Sequence, residues 1–232
     1  MTDGLWVYLA TSPLLWLAGT LVVWLAATGL SGLAPGNPLL NPIMISIAAI
    51  ATVLCVTGID YGTYFEGAQF IHFLLGPATV ALGIPLFEKL SLVKSNLVPM
   101  LSALVVGSFT AVGSTVFFSD LFGFSPEVVA SMAPKSTTAA VAMAISSGLQ
   151  GDPALTAAVV VLTGICGAIV VTPMMNAMRI KDFSARGFAV GLASHGIGTA
   201  RAYSVDPVAG LFSGIAMGLN AVLTSLIVHL FL

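Results

Sequence analysis

The sequence predicts an all-α, polytopic membrane protein of about eight membrane segments, with broken or re-entrant helices. Three observations carry that expectation. Of the 232 residues, 58% are hydrophobic and only 7% are charged; the mean hydropathy is +1.07; and apolar runs follow one another with only short polar turns between them. A soluble domain carries about 25% charged residues. Seven basic and nine acidic side chains cannot cover a water-facing surface at this chain length, so apolar residues must face lipid.

Pro, Gly, Asn and charged residues punctuate the chain in order. The first apolar segment, 13–30, ends at the turn 31–38; the second, 39–59, ends at the acidic turn 60–67. The third, 68–87, meets the basic turn 88–95, and the fourth, 96–118, meets the turn 119–124. The fifth, 125–149, holds Ala133-Pro134-Lys135-Ser136-Thr137-Thr138 near its middle, a run that breaks a lipid-facing helix. The sixth, 153–175, precedes the most basic turn, with Arg179, Lys181, Arg186 and Asp182. The seventh is 187–203 and the eighth 208–232. No stretch is long or polar enough for a second, soluble domain, so 1–232 reads as a single transmembrane domain. The first residues show no basic stretch ahead of an apolar one, and a cleaved signal peptide is not expected.

Charge assigns sides. Basic turns face the cytoplasm, so the turns around Lys89 and Lys94 and around Arg179 to Arg186 should share a side. Counting every segment as one crossing places them on opposite sides. The conflict disappears if 125–149 enters and leaves on one face. An internal repeat is also legible: Gly76-Pro77-Ala78-Thr79-Val80-Ala81 in the third segment resembles Gly196-Ile197-Gly198-Thr199-Ala200-Arg201 in the seventh. By the charge argument these two run in opposite directions, which marks an inverted repeat.

Three ionisable residues within apolar stretches stand out, because each costs about 2.5–3.5 kcal/mol at the bilayer centre. Lys135 follows a proline and precedes Ser136, Thr137 and Thr138. A helix restarting there presents free N–H groups, hydroxyls and an ammonium, a combination that binds a carboxylate; the alternative is a lysine snorkelling to the headgroups. Arg201 offers a planar fork that matches a carboxylate, or else pairs with Asp206. His195 could donate a hydrogen bond or carry a proton, or simply tie two helices together. Asn41 and Asn220 either line a pathway or bridge helices. Cys55 and Cys166 read as small hydrophobes. No enzyme motif is present, the three histidines lack metal-ligand spacing, and nothing marks a nucleic-acid surface. The protein is therefore not expected to be an enzyme, to bind a metal or cofactor, or to contact nucleic acid.

The blocks Asn37-Pro38-Leu39-Leu40-Asn41-Pro42, Leu75-Gly76-Pro77-Ala78-Thr79-Val80-Ala81-Leu82, Pro134-Lys135-Ser136, Asn176-Ala177-Met178-Arg179-Ile180 and Ala193-Ser194-His195-Gly196-Ile197-Gly198-Thr199-Ala200-Arg201 together resemble the LrgB/CidB family along almost the whole chain. Two departures accompany the resemblance. Relatives commonly continue from the lysine block with Val-Thr-Thr-Pro, where Thr137-Thr138-Ala139-Ala140 stand, so the proline is missing at Ala140, and they commonly carry a glutamate where Ala209 stands. The resemblance implies one of two functions. Plastid relatives carry glycolate and glycerate, which implies a transporter of small monocarboxylates (glycolate, glycerate, lactate or pyruvate), proton-coupled or exchanging. Bacterial relatives imply a holin/antiholin-type regulator of membrane permeability and murein hydrolases, acting with a small LrgA/CidA-like membrane partner. The expected setting is the bacterial inner membrane, as a homo-oligomer. A carrier needs an anion-binding midplane, and the Lys135 and Arg201 blocks favour that reading. The expected substrate site is Lys135, Ser136, Thr137, Thr138, His195, Gly196, Gly198, Thr199 and Arg201, faced by Gly76, Pro77, Thr79 and Asn41.

Overall fold

The computed structural model describes residues 12–33, 40, 42–74, 77, 87 and 89–232. The described residues form helices and turns without a strand, as the composition predicts. The chain divides into two compact units, Met1–Ile84 and Pro85–Leu232.

In the first unit α1 is Pro13–Gly32, α2 Pro42–Thr57 and α3 Tyr61–Phe73. Asp60 caps α3, its carboxylate accepting from the Gly62 N–H. At Gly67 a Cβ would stand 2.2 Å from the Pro13 carbonyl oxygen, so the absent side chain lets α1 and α3 approach. Trp16 then packs edge-on against Tyr64, ring centroids 5.8 Å apart.

In the second unit α4 (Leu90–Ser95) leads into α5 (Leu97–Leu121), followed by α6 (Pro126–Met132), α7 (Ala139–Gly148), α8 (Pro153–Ala177), α9 (Phe183–Val205), α10 (Pro207–Ile227) and a 3-10 turn, Val228–Leu230. Helices α5 and α8 have 25 residues each, about 37 Å at 1.5 Å per residue, enough to cross a hydrocarbon core of about 30 Å. They, α1 and Pro207–Leu230 are the four described helices long and apolar enough to span.

Neither α6 nor α7 is long enough to cross. Val129 and Ala133 share a core cluster with Ile145 and Leu149, whereas Val129 and Leu149 would be about 30 Å apart in one continuous helix. The segment 125–149 therefore folds back on itself, as the charge argument expects. Pro134 explains the break: it lacks an N–H and its ring obstructs the preceding turn.

The seventh segment departs from the expectation of a crossing. His195 has φ 41° and ψ −133°, far from helical values. Val190, Ala202 and Ala209 form one cluster, although Val190 and Ala202 would be about 18 Å apart in a straight helix. So α9 is a second hairpin, its limbs 183–194 and 196–205 meeting at His195. The run 187–203 is long enough to be taken for a crossing, but α9 is not among the described helices that are both long and apolar enough to span.

The two hairpins are rooted at opposite ends of α8. Along α10, Leu211 and Phe212 pack with Met100 and Leu104 of α5, and Ile227 packs with Val112 and Val116, so α5 and α10 run parallel. One end of this unit carries Lys89, Lys94, Arg179, Lys181 and Arg186, with the capping residues Asp182 and Asp206; the other carries Asp120, Glu127 and Asp152. The opposition of hairpins differs from the repeat read in the sequence, whose third-segment part lies mostly outside the described residues.

Candidate functional site

The tips of both hairpins converge on one side chain. Asn220, fully buried in α10, donates through Nδ2 to the carbonyls of Ser136 (3.0 Å) and Leu192 (3.1 Å). Its Oδ1 accepts from Ser108 Oγ at 2.7 Å and Thr224 Oγ1 at 3.1 Å. Both carbonyls lie at breaks, where the usual i+4 partner is missing. A primary amide has two donors and an acceptor oxygen with two lone pairs, so every capacity is used. Asn220 thus bridges helices, one of the two roles its place in an apolar segment suggests.

Below this junction is a cleft of about 780 Å³, within the range of small-molecule sites. It is lined mainly by apolar side chains of α5, α8 and the first limb of α9, with Lys135, Ser136, Thr163, Cys166 and Ser194 among them. Two of the polar groups there matter most for an anion. Among the described residues, the Lys135 ammonium makes no hydrogen bond or ion pair, while its backbone N–H donates to the Met132 carbonyl at 3.1 Å; Ser194 Oγ is buried without a partner. Ser194 is seated over Gly167, where a Cβ would fall 1.6 Å from its oxygen. An unpaired ammonium and a buried hydroxyl in apolar surroundings are costly unless something satisfies them.

The remaining residues of the first break serve its shape. Thr137 is fully buried, and its hydroxyl and N–H both donate to the Pro134 carbonyl, each at 3.0 Å. Thr138 is the extended N-cap of α7 and makes no side-chain cap bond. Ser136 contributes its carbonyl to Asn220 and also lines the cleft.

His195 holds the second tip. Its Nε2 is 2.9 Å from the Val160 carbonyl of α8, and since a carbonyl only accepts, Nε2 carries the proton. The ring lies against Gly164, whose Cβ would stand 2.8 Å from Cε1. Backbone in so sparsely populated a region costs on the order of 1–3 kcal/mol, offset here by that bond and by Thr199 Oγ1 donating to the His195 carbonyl at 2.8 Å. With its one proton so used, Thr199 accepts from Ser213 Oγ, 2.8 Å away. Gly198 closes the limbs: a Cβ would stand 2.9 Å from Val190 Cγ2 and 3.0 Å from the Val190 carbonyl oxygen. Gly196 is open by comparison, since a Cβ there would meet only Met217 Sδ, at 3.9 Å.

Lys135, Ser136 and Ser194 line one cleft, but Arg201 lines a smaller, neighbouring pocket, with Phe183, Arg186, Val190 and Val205 at the root of the second hairpin. Pro77 is exposed, while Gly76, Thr79 and Asn41 lie outside the described residues. Ser194 is absent from the set the sequence singles out. A serine hydroxyl carries no signal until the fold leaves it unpaired. Among the described residues no group of three His, Cys, Asp or Glu side chains forms a metal centre.

The profile of the LrgB-like family matches residues 20–232. Similar proteins include the holin-like protein CidB of Staphylococcus epidermidis, 34% identical over 83% of this chain and 84% of that protein. The holin-like protein CidB of Staphylococcus aureus is 32% identical over 83% and 84% of the two chains. YxaC of Bacillus subtilis is 34% identical over 81% and 82%. No solved structure matches the chain.

Proposed function

The chain belongs to the LrgB-like family, and from that premise we propose that it carries a small monocarboxylate across the bilayer by way of the cleft between its hairpin tips. The observation that carries this reading is the pairing of an uncommitted ammonium, Lys135, with an uncommitted buried hydroxyl, Ser194 Oγ, on one cleft. A carboxylate accepts from both and has its desolvation compensated. One ammonium matches one negative charge, whereas a dicarboxylate would bring a second charge with no second cation among the described residues lining the cleft. Opposed broken helices around a midplane site are a common transporter plan. We place the protein in a bacterial inner membrane, the basic end of its second unit facing the cytoplasm, and extend the proposal to a second copy and a small holin-like membrane partner.

A second reading has its own support. The staphylococcal relatives are named holin-like, which favours a regulator of membrane permeability without a saturable substrate. Reconstituted protein separates the two. In liposomes, carriage predicts saturable uptake of labelled glycolate, glycerate, lactate or pyruvate, with mutual competition and retention of an entrapped dye. Cys166 supplies a native reporter, since it lines the cleft as a free, exposed thiol. In a Cys55→Ala background, the transported acid should slow its alkylation. Uptake that rises linearly with concentration, accompanied by dye leakage, would establish the holin-like reading instead.

A further inference from the structure

A second cavity, of about 300 Å³, is lined by Ser114, Thr115, Phe118, Ser119, Phe122 and Phe124, together with Met132 and Lys135. Met132 and Lys135 also line the cleft. The two spaces therefore share one wall, and the wall is made of the two most flexible side chains at the first hairpin tip. Each shared residue is only partly buried. The second cavity lies along α5 toward its acidic end, whereas the cleft meets α5 at Gly107, Thr110 and Ala111. Successive lining residues, Gly107, Ala111, Ser114, Phe118 and Phe122, follow helical spacing, so one face of α5 runs past both.

We propose that Met132 and Lys135 form a gate between the cleft and an aromatic vestibule opening toward the acidic end, and that Met132 sets the largest anion admitted. The inference rests on the carrier reading and adds a route and a size filter to it. An unbranched methionine repacks readily, and a lysine ammonium on its four-carbon stem can hold an anion while the stem swings from one space to the other. The vestibule suits an anion that keeps some water. Hydroxyls of Thr115 and Ser114 donate to the Ala111 carbonyl at 2.7 and 3.4 Å, which leaves their oxygens to accept from water. The positive edges of the phenylalanine rings face anions favourably.

The test uses Ser119→Cys in a Cys55→Ala/Cys166→Ala background, reconstituted in liposomes, with each variant's flux referred to its own untreated value. Radiolabelled pyruvate and the five-carbon 2-oxopentanoate are the probes. Modification of the new thiol with a bulky reagent should cut pyruvate flux at least tenfold, and pyruvate should slow that modification. Met132→Ala, in an otherwise native chain, should raise the 2-oxopentanoate to pyruvate flux ratio several-fold. Complete modification with undiminished flux overturns the gate. If the thiol does not react, the Met132→Ala ratio decides, an unchanged ratio overturning the proposal and a raised one supporting it. Absence of saturable pyruvate uptake in the native chain, with no protection of Cys166, would instead overturn the carrier reading beneath it.

Discussion

Removing the Lys135 charge isolates what it contributes. If a carboxylate is held by that ammonium and by Ser194 Oγ, Lys135→Met should weaken binding by about 2–5 kcal/mol, the scale for truncating one partner of a buried charge pair. Ser194→Ala should cost about 1.5–3 kcal/mol, a hydrogen bond to a charged group. Arg201→Met should leave affinity close to that of the native chain, because Arg201 lines another pocket. Ligand-dependent thermal stabilisation of purified variants measures all three, and a loss in Arg201→Met equal to that in Lys135→Met would return Arg201 to the site. Sequence reasoning finds Lys135 because a charge in an apolar run is conspicuous. It pairs Lys135 with Arg201 because two cations suggest one anion, whereas the fold sets them in neighbouring pockets that share Val171, Met175 and Val190. Ser194 stays hidden for the opposite reason: hydroxyls in membrane helices normally bond to their own backbone, as Thr110 and Thr115 do.

The hairpins depend on contacts that tolerate no added atom. A Cβ at Gly187 would stand 2.1 Å from the Ala209 carbonyl oxygen, and one at Gly191 equally close to that of Ser213. Both obstacles are backbone, so α9 would have to leave α10. Gly187→Ala and Gly191→Ala should therefore lower the yield of monodisperse protein sharply, while Gly196→Ala, with nothing nearer than 3.9 Å, should purify like the native chain. Equal behaviour of the three variants in size-exclusion chromatography would argue against this packing. Asn220→Ala removes four hydrogen bonds. At about 0.6 kcal/mol each in a membrane protein, the loss is roughly 2 kcal/mol of stability, seen as a lower melting temperature. The first hairpin is legible because Pro134 and the charge pattern agree on it. The second is not, because no proline marks its tip and a buried histidine holds it through a bond to a helix 35 residues earlier.

At the scale of the molecule, the path of the second unit follows from a small set of facts. Helices α5 and α10 run parallel, α8 joins the two hairpins from opposite ends, and the basic side chains collect where α5 begins and α8 finishes. A chain in which 125–149 crossed the bilayer would put Lys94 and Arg179 on opposite sides. A chain in which both 125–149 and α9 fold back keeps them together, and it places the 122–125 and 150–152 turns on the other side. Single cysteines at Ser95, Ser184, Ser125 and Gln150, in a Cys55→Ala/Cys166→Ala background, test this directly with an impermeant thiol reagent applied to intact cells. With the basic end cytoplasmic, Ser125→Cys and Gln150→Cys should label from outside, while Ser95→Cys and Ser184→Cys should label only after the membrane is opened. The Ser184 position carries particular weight, since it sits in the first turn of α9 beside its cap Asp182. Tyr203→Cys, at the far end of the returning limb, extends the argument. A crossing α9 would carry it to the outer side, whereas the hairpin returns it to the side of Ser184. Outside labelling at Tyr203→Cys with protection at Ser184→Cys would straighten α9, pull its tip from Asn220 and take the second hairpin out of the cleft.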